Sequence, residues 1–272
     1  MISTIIKLML SGTLVVGFFI IFAGQAPKVS KPTSSCLAEP MSDDDWESHR
    51  GPVESIRISD TELGLSDKPL LRQVTKFNRI EQKVQKVLYR DDGVALPKST
   101  FSYDSTGRIV KAHHYQVNGT ISLEDTYAYD PDGWLKDETQ RSLEDDKVLN
   151  RKVYSHDAKL NLTEVSEFDW DNKLRSRIGF IRDGQCRITE AFGYDPSGSI
   201  KAKIRFTYDD RNNVIESVSN SSDGIVEEKR KYEYRFDNRG NWIAQISSKL
   251  VKEGGKEFYR AEHATYRKFT YH

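Results

Sequence analysis

The sequence predicts an all-β fold: a long antiparallel meander of hairpins, curled into an open shell or barrel-like sheet and preceded by one N-terminal hydrophobic helix. Three observations predict it. Clusters of Asp, Asn and Gly recur every 12 to 17 residues from Asp91 to Gly255. β-Branched and aromatic residues fill the intervals, and all 13 tyrosines lie at or after Tyr89. The chain is also polar, with 37% hydrophobic residues and a mean hydropathy of −0.65. That suits a sheet with one wet face better than a single compact core of 272 residues.

The N-terminus stands apart. Lys7 is the only charge in residues 1–24, and Leu8 to Gly24 form an apolar run of 17. This reads as a signal peptide or membrane anchor, with membrane contact through residues 8–24. Gly24-Gln25-Ala26 offers a cleavage pattern, but Pro27 disfavours the cut, so the reading leans to an uncleaved anchor. Residues 25–50 read as a disordered linker, with Pro27, Pro32, Pro40 and the run Asp43-Asp44-Asp45. The two cysteines, Cys36 and Cys186, are too few for a disulfide framework. A bridge between them and two separate thiols both stay open.

Residues 51–272 form the expected repeat domain. Pro52 to Ile58 reads as a strand. Leu70 to Tyr89 carries apolar residues at helical spacing, but the turn pitch continues through it, so strands are preferred. Asp130-Pro131-Asp132-Gly133 and Asp195-Pro196-Ser197-Gly198 place Asp first, Pro second and Gly fourth. Asp caps such a turn, Pro presets φ, and Gly takes the left-handed position of a type I turn with a bulge. Asp104-Ser105-Thr106-Gly107 and Asp237-Asn238-Arg239-Gly240 fit the same mould. Asp209-Asp210-Arg211-Asn212 ends in Asn instead, and Asp157-Ala158-Lys159-Leu160 departs from the rule. The alternate turns at Asn118-Gly119, Asp171-Asn172 and Asp223-Gly224 read as two-residue hairpin turns. About nine residues lie between turns, and about sixteen such strands are expected to curl or close.

These motifs resemble the YD-repeat (RHS-repeat) family, whose unit ends Tyr-Asp-x-x-Gly. The match is carried by Tyr103, Asp104 and Gly107, by Tyr129, Asp130 and Gly133, and by Tyr194, Asp195 and Gly198. Tyr208-Asp209 and the segment Phe236-Asp237 to Gly240-Asn241-Trp242 are close variants. The resemblance implies a structural role for these residues, Trp242 included. In large family members the repeats spiral into a hollow β-shell around a toxin segment. This chain is similar to small exported members without a toxin domain.

For function, 41 basic residues balance 41 acidic ones, and residues 51–272 alone hold 37 against 36. Such neutrality gives no long-range attraction to nucleic acid. There is no Gly-x-Ser-x-Gly elbow and no Gly-rich phosphate loop. The regularly spaced Asp residues are accounted for by turns, and His113-His114 point to opposite faces of a strand. No catalytic residue, metal or cofactor is therefore expected, and the chain reads as not an enzyme. Trp134 and Trp170, each beside a turn, are the candidates for stacking on a sugar or anchoring a protein. The expectation is an exported, membrane-tethered protein of the bacterial cell envelope, periplasmic or extracellular, that binds a glycan or an envelope protein. The alternative is a scaffold or shell element with no small ligand; a glycan-active enzyme is the least favoured reading.

Overall fold

A computed structural model describes residues 49–65, 68–157, 162–195 and 197–272. The expected N-terminal helix, the linker to Ser48 and Cys36 lie outside the described residues. The described chain is all strand and turn. In order the strands are β1 (Val53–Glu62), β2 (Leu70–Phe77), β3 (Lys83–Leu88), β4 (Ser99–Tyr103), β5 (Ile109–Tyr115) and β6 (Ile121–Tyr129). Then follow β7 (Leu135–Ser142), β8 (Val148–His156), β9 (Leu162–Asp169), β10 (Leu174–Arg182) and β11 (Ile188–Tyr194). The last are β12 (Ile200–Tyr208), β13 (Val214–Ser221), β14 (Val226–Phe236), β15 (Trp242–Glu253) and β16 (Lys256–Tyr271). Residues 70–89 form strands, not a helix. Each strand bonds to its sequence neighbours, and β1 also bonds to β16, so the order closes as an antiparallel barrel. Of the open shell and the barrel-like sheet, the barrel is found.

A recurrent irregularity bends the strands. Nearly every hairpin skips one residue just past its turn: Tyr129 pairs with Leu135, but Ala128 pairs with Asp137. The same shift recurs at Lys76/Phe77, Gln140/Arg141, Ser155/His156, Ile181/Arg182 and Arg235/Phe236. Such bulges increase twist and bend the strand that carries them. They also flip the inward set, so Leu135 and Glu138 are both buried although their numbers differ by three.

The chain divides into two compact units. One comprises Ser102–Ala112 and Leu123–Lys203. Its buried face mixes Ile109, Ala112, Tyr127, Leu135, Ile188 and Ala191 with the ionisable Asp125 and Glu138. The other comprises His49–Phe101, His113–Ser122 and Ile204–His272. Its buried face holds Val53, Ile56, Ile58, Phe77, Ile204, Phe206 and Tyr232. This second unit contains the closure, with β1 and β16 paired from Val53–Tyr271 to Glu62–His263.

Asn241 fastens that closure. Its side-chain carbonyl accepts from the Arg50 N–H at 2.6 Å, and its amide donates to the Arg50 carbonyl at 3.1 Å and to the Tyr271 hydroxyl at 2.9 Å. Tyr271 in turn donates to Asp237 at 2.9 Å, and the Arg239 guanidinium lies 3.9 Å over its ring. One side chain thus grips both ends of the barrel sequence.

Candidate functional site

The turns set the frame. Among the described residues, in eleven of them the first residue's N–H bonds to the carbonyl four residues on, and the fourth residue's N–H returns to the first carbonyl. The fourth residue has positive φ: Gly107, Gly133, Gly198 and Gly240 do, and so do Asn172, Cys186 and Asn212. The alternate turns share this geometry. Gln116, Asp169 and Ser221 are their first residues, so Asn118-Gly119, Asp171-Asn172 and Asp223-Gly224 are not two-residue turns. The bulge adds the residues that a two-residue reading leaves out. The two-residue form occurs at Gly254-Gly255, between the paired Glu253 and Lys256, where both glycines have positive φ. Residues 158–161 and Pro196, two sites of expected turn chemistry, lie outside the described residues. Cys186 is disulfide-bonded.

Each turn Asp works as a local anchor. Asp104 accepts from the N–H groups of Thr106 and Arg108 and from the Arg108 side chain at 2.8 Å. Burial alone would lift its pKa, but these hydrogen bonds and the Arg108 charge outweigh it and hold the carboxyl far below the usual range. Asp183, Asp195, Asp209 and Asp237 are likewise lowered.

Repeats are also tied to one another. Arg108 lies 4.6 Å over the ring of Tyr129, whose hydroxyl donates to the Ile109 carbonyl at 2.7 Å. Burial pushes the Tyr129 pKa up to about 12, so it stays a donor. Tyr234 repeats the contact on the Val214 carbonyl. Arg177 over Tyr194 and Arg211 over Phe236 repeat the stack. Trp242 holds Arg267, whose guanidinium lies 3.6 Å over the indole and donates to the Trp242 carbonyl.

The buried face of β6, β7 and β8 carries a polar cluster that no motif announced. Gln140 donates to Asp125 at 2.9 Å, and Asn150 donates to Gln140 at 3.1 Å. Tyr154 donates to Glu138 at 2.7 Å, with the Lys152 ammonium 3.6 Å from the same carboxyl. Burial pushes the Glu138 pKa up, and the Asp125 charge adds to it, against Lys152 and the Tyr154 hydrogen bond. Asp125 and Glu138 are almost fully buried, so this cluster specifies packing rather than offering carboxylates to solvent. Alternation at Asp125, Tyr127 and Tyr129 hints at the inward face, but the bulge hides Glu138 from such a count. Among the described residues, no cluster of His, Cys, Asp and Glu could hold a metal.

The two candidate tryptophans are not brought together. Trp134 follows the β6–β7 turn, is half-buried, and has its ring 5.9 Å from His156. Trp170 lies in the β9–β10 turn, at the other end of the strands, and is 66% exposed. Leu149 lies beside it, one step beyond the Asn150–Asp169 pair. Leu149, Leu143 and Ile200, all at turns of that same end, are exposed as well. Exposed apolar residues thus gather at this end of the first unit, and Trp170 is the most exposed of these four.

Charged residues line much of the solvent face of β12 and β14, although Val226 at the start of β14 is exposed too. Along β14, Glu227, Lys231, Glu233 and Arg235 are exposed while Tyr232 between them is buried. β12 alternates Lys201, Lys203 and Arg205 with the buried Ala202, Ile204 and Phe206. Among the described residues no helix is long and apolar enough to cross a membrane.

No family model and no curated protein matches the chain. Among solved structures, a porin-like protein from Bacteroides uniformis superposes with a TM-score of 0.54 at 12% identity, over 80% of this chain and 98% of that one. The likeness is one of fold. A porin-like protein from Bacteroides vulgatus gives a TM-score of 0.37 at 11% identity, over 81% of this chain and 99% of that one. The TcdB2-TccC3 structure without its hypervariable C-terminal region gives 0.27 at 10% identity, over 75% of this chain and 14% of that one. Overlaps this loose carry no inference about family.

Proposed function

We propose that this chain is a non-enzymatic, YD-repeat-type barrel of the bacterial cell envelope. Residues 8–24 export or tether it, its folded body stands in water, and it binds a glycan or an envelope protein through the Trp170 end of its first unit. The observation that carries the binding role is the exposed Trp170 with Leu149 beside it, and with Leu143 and Ile200 exposed at turns of the same end, because exposed apolar residues gathered at one place in a polar surface mark interaction sites. The aqueous placement is supported by the charged solvent faces of β12 and β14. A membrane-spanning barrel needs an apolar outward band, and a Lys or Arg at the bilayer midplane costs about 2–4 kcal/mol.

Glycan arrays and affinity capture from intact cells, with the full chain as bait, test the proposal. Trp170→Ala is expected to abolish the signal, and Trp134→Ala to leave it. Equal binding by wild type and Trp170→Ala would overturn the assignment of the site. An absence of any ligand for the wild-type chain would favour a scaffold role, and hydrolysis of an envelope polysaccharide would overturn the non-enzymatic reading.

A further inference from the structure

The backbone pairing of the β15–β16 hairpin runs on past that of both its neighbours, with the Lys231 ammonium of β14 still 4.4 Å over the Tyr259 ring. β14 pairs with β15 no further than Arg230–Lys249. β1 pairs with β16 no further than Glu62–His263, with one more bond from the Leu63 N–H to the Glu262 carbonyl. A bulge at Glu262, between the pairs Ser247–His263 and Ser248–Ala261, sets off the rest of the hairpin. Beyond it, Leu250 to Glu253 run against Tyr259 to Lys256 as a two-stranded ribbon. Among the described residues no strand pairs with the β1-side edge of Lys256–Ala261. Such an edge presents bare N–H and C=O groups to any strand of matching side chains. It has no proline, and its Phe258 is 42% exposed.

We infer that this edge docks the same edge of a second copy, in an antiparallel two-fold pair centred on Tyr259. The geometry of pairing limits the choices. Directly opposed residues in an antiparallel pair are both turned toward the partner strand or both turned away. A two-fold pair of identical strands must therefore centre on a residue, and Phe258 and Tyr259 are the central residues of the edge. Centring on Phe258 sets Lys256 opposite Arg260 of the other copy, like charge against like. Centring on Tyr259 sets Arg260 opposite Phe258 of the other copy, twice over, and places a cation at a ring each time. It also joins Leu250 and Tyr259, already paired across the hairpin, to their counterparts in one row of four strands. Arg260 is free to serve this contact: it is exposed, its ion pair with Glu253 is in solvent, and it lies 5.4 Å over its own Phe258. The pairing is isologous and closes on itself, so it yields a dimer and not a filament.

Sedimentation of the full chain in mild detergent, over a concentration series, is the test. A monomer–dimer equilibrium is expected. Arg260→Glu is expected to weaken it about tenfold or more. Glu253→Gln removes the same intrachain ion pair without touching the dimer register and is expected to leave the equilibrium unchanged. Tyr259→Cys places a thiol against its own copy and is expected to form an interchain disulfide far faster than Lys252→Cys. A chain monomeric at every concentration would overturn the inference. So would equal weakening by Arg260→Glu and Glu253→Gln, or equal crosslinking by the two cysteine variants.

Discussion

Asn241→Ala tests how the barrel is closed. The side chain is 3% exposed and makes three hydrogen bonds, two with the Arg50 backbone and one with the Tyr271 hydroxyl. A buried hydrogen bond contributes about 1 kcal/mol net. Arg50 is exposed, so water recovers part of its share, and Tyr271 keeps its bond to Asp237. The expected loss is about 2–3 kcal/mol in chemical denaturation. Asn213 occupies the same place in the preceding repeat but bonds only within its own turn, to Asp209. Asn213→Ala should cost no more than about 1 kcal/mol. The two also differ in where they act: Asn241→Ala should speed amide exchange in β1 and the last half of β16, and Asn213→Ala should not. Equal losses for the two variants, with unchanged exchange in β1, would refute the clasp.

Three other outcomes follow from the packing. A Cβ at Gly179 would meet the Tyr194 hydroxyl at 3.0 Å and its ring at 3.2 Å, and that ring is held by Arg177. Gly179→Val should therefore cost about 1–3 kcal/mol, whereas Gly184→Ala, with nothing near, should be close to neutral in the same denaturation assay. Glu138 has a raised pKa in the folded chain, so its contribution is full at low pH and is lost as pH rises from the ordinary carboxylate value through the folded one. Glu138→Gln should flatten the fall of stability with rising pH in that window; an unchanged slope would show that the group does not titrate as stated. Arg267→Lys should lose about 1–2 kcal/mol through the stack on Trp242, although charge is conserved.

Much of the fold was legible because turns carry their own chemistry. Asp, Pro and Gly at fixed offsets fix backbone dihedrals locally, so the pitch of Asp104, Asp130 and Asp209 yields the strand count without any tertiary knowledge. Strands across Leu70–Tyr89 were legible for the same reason, since pitch outweighed a helical spacing of apolar residues. The bulges were not. A bulge is a property of the pairing between two strands, and neither strand announces it alone. Missing them made Asn118-Gly119 and Asp223-Gly224 look like shorter turns, and it concealed that Glu138 faces inward with Asp125. Closure was open in the sequence because it depends on β1 meeting β16 across the whole domain. Its fastener, Asn241, is visible as part of Gly240-Asn241-Trp242, but its partners Arg50 and Tyr271 are distant in sequence. Likewise, Trp134 and Trp170 look alike beside their turns, and only the parity of the turns places them at opposite ends.

On the proposed function, the folded body stands in water at the envelope, tethered and not embedded. A specific protease site placed in residues 25–48 of the full chain tests it most directly. After cleavage in isolated membranes, or without cleavage if export already removes the N-terminus, residues 49–272 should be recovered in the aqueous fraction without detergent. A body that stays with the membrane until detergent is added would mean that the barrel is embedded instead.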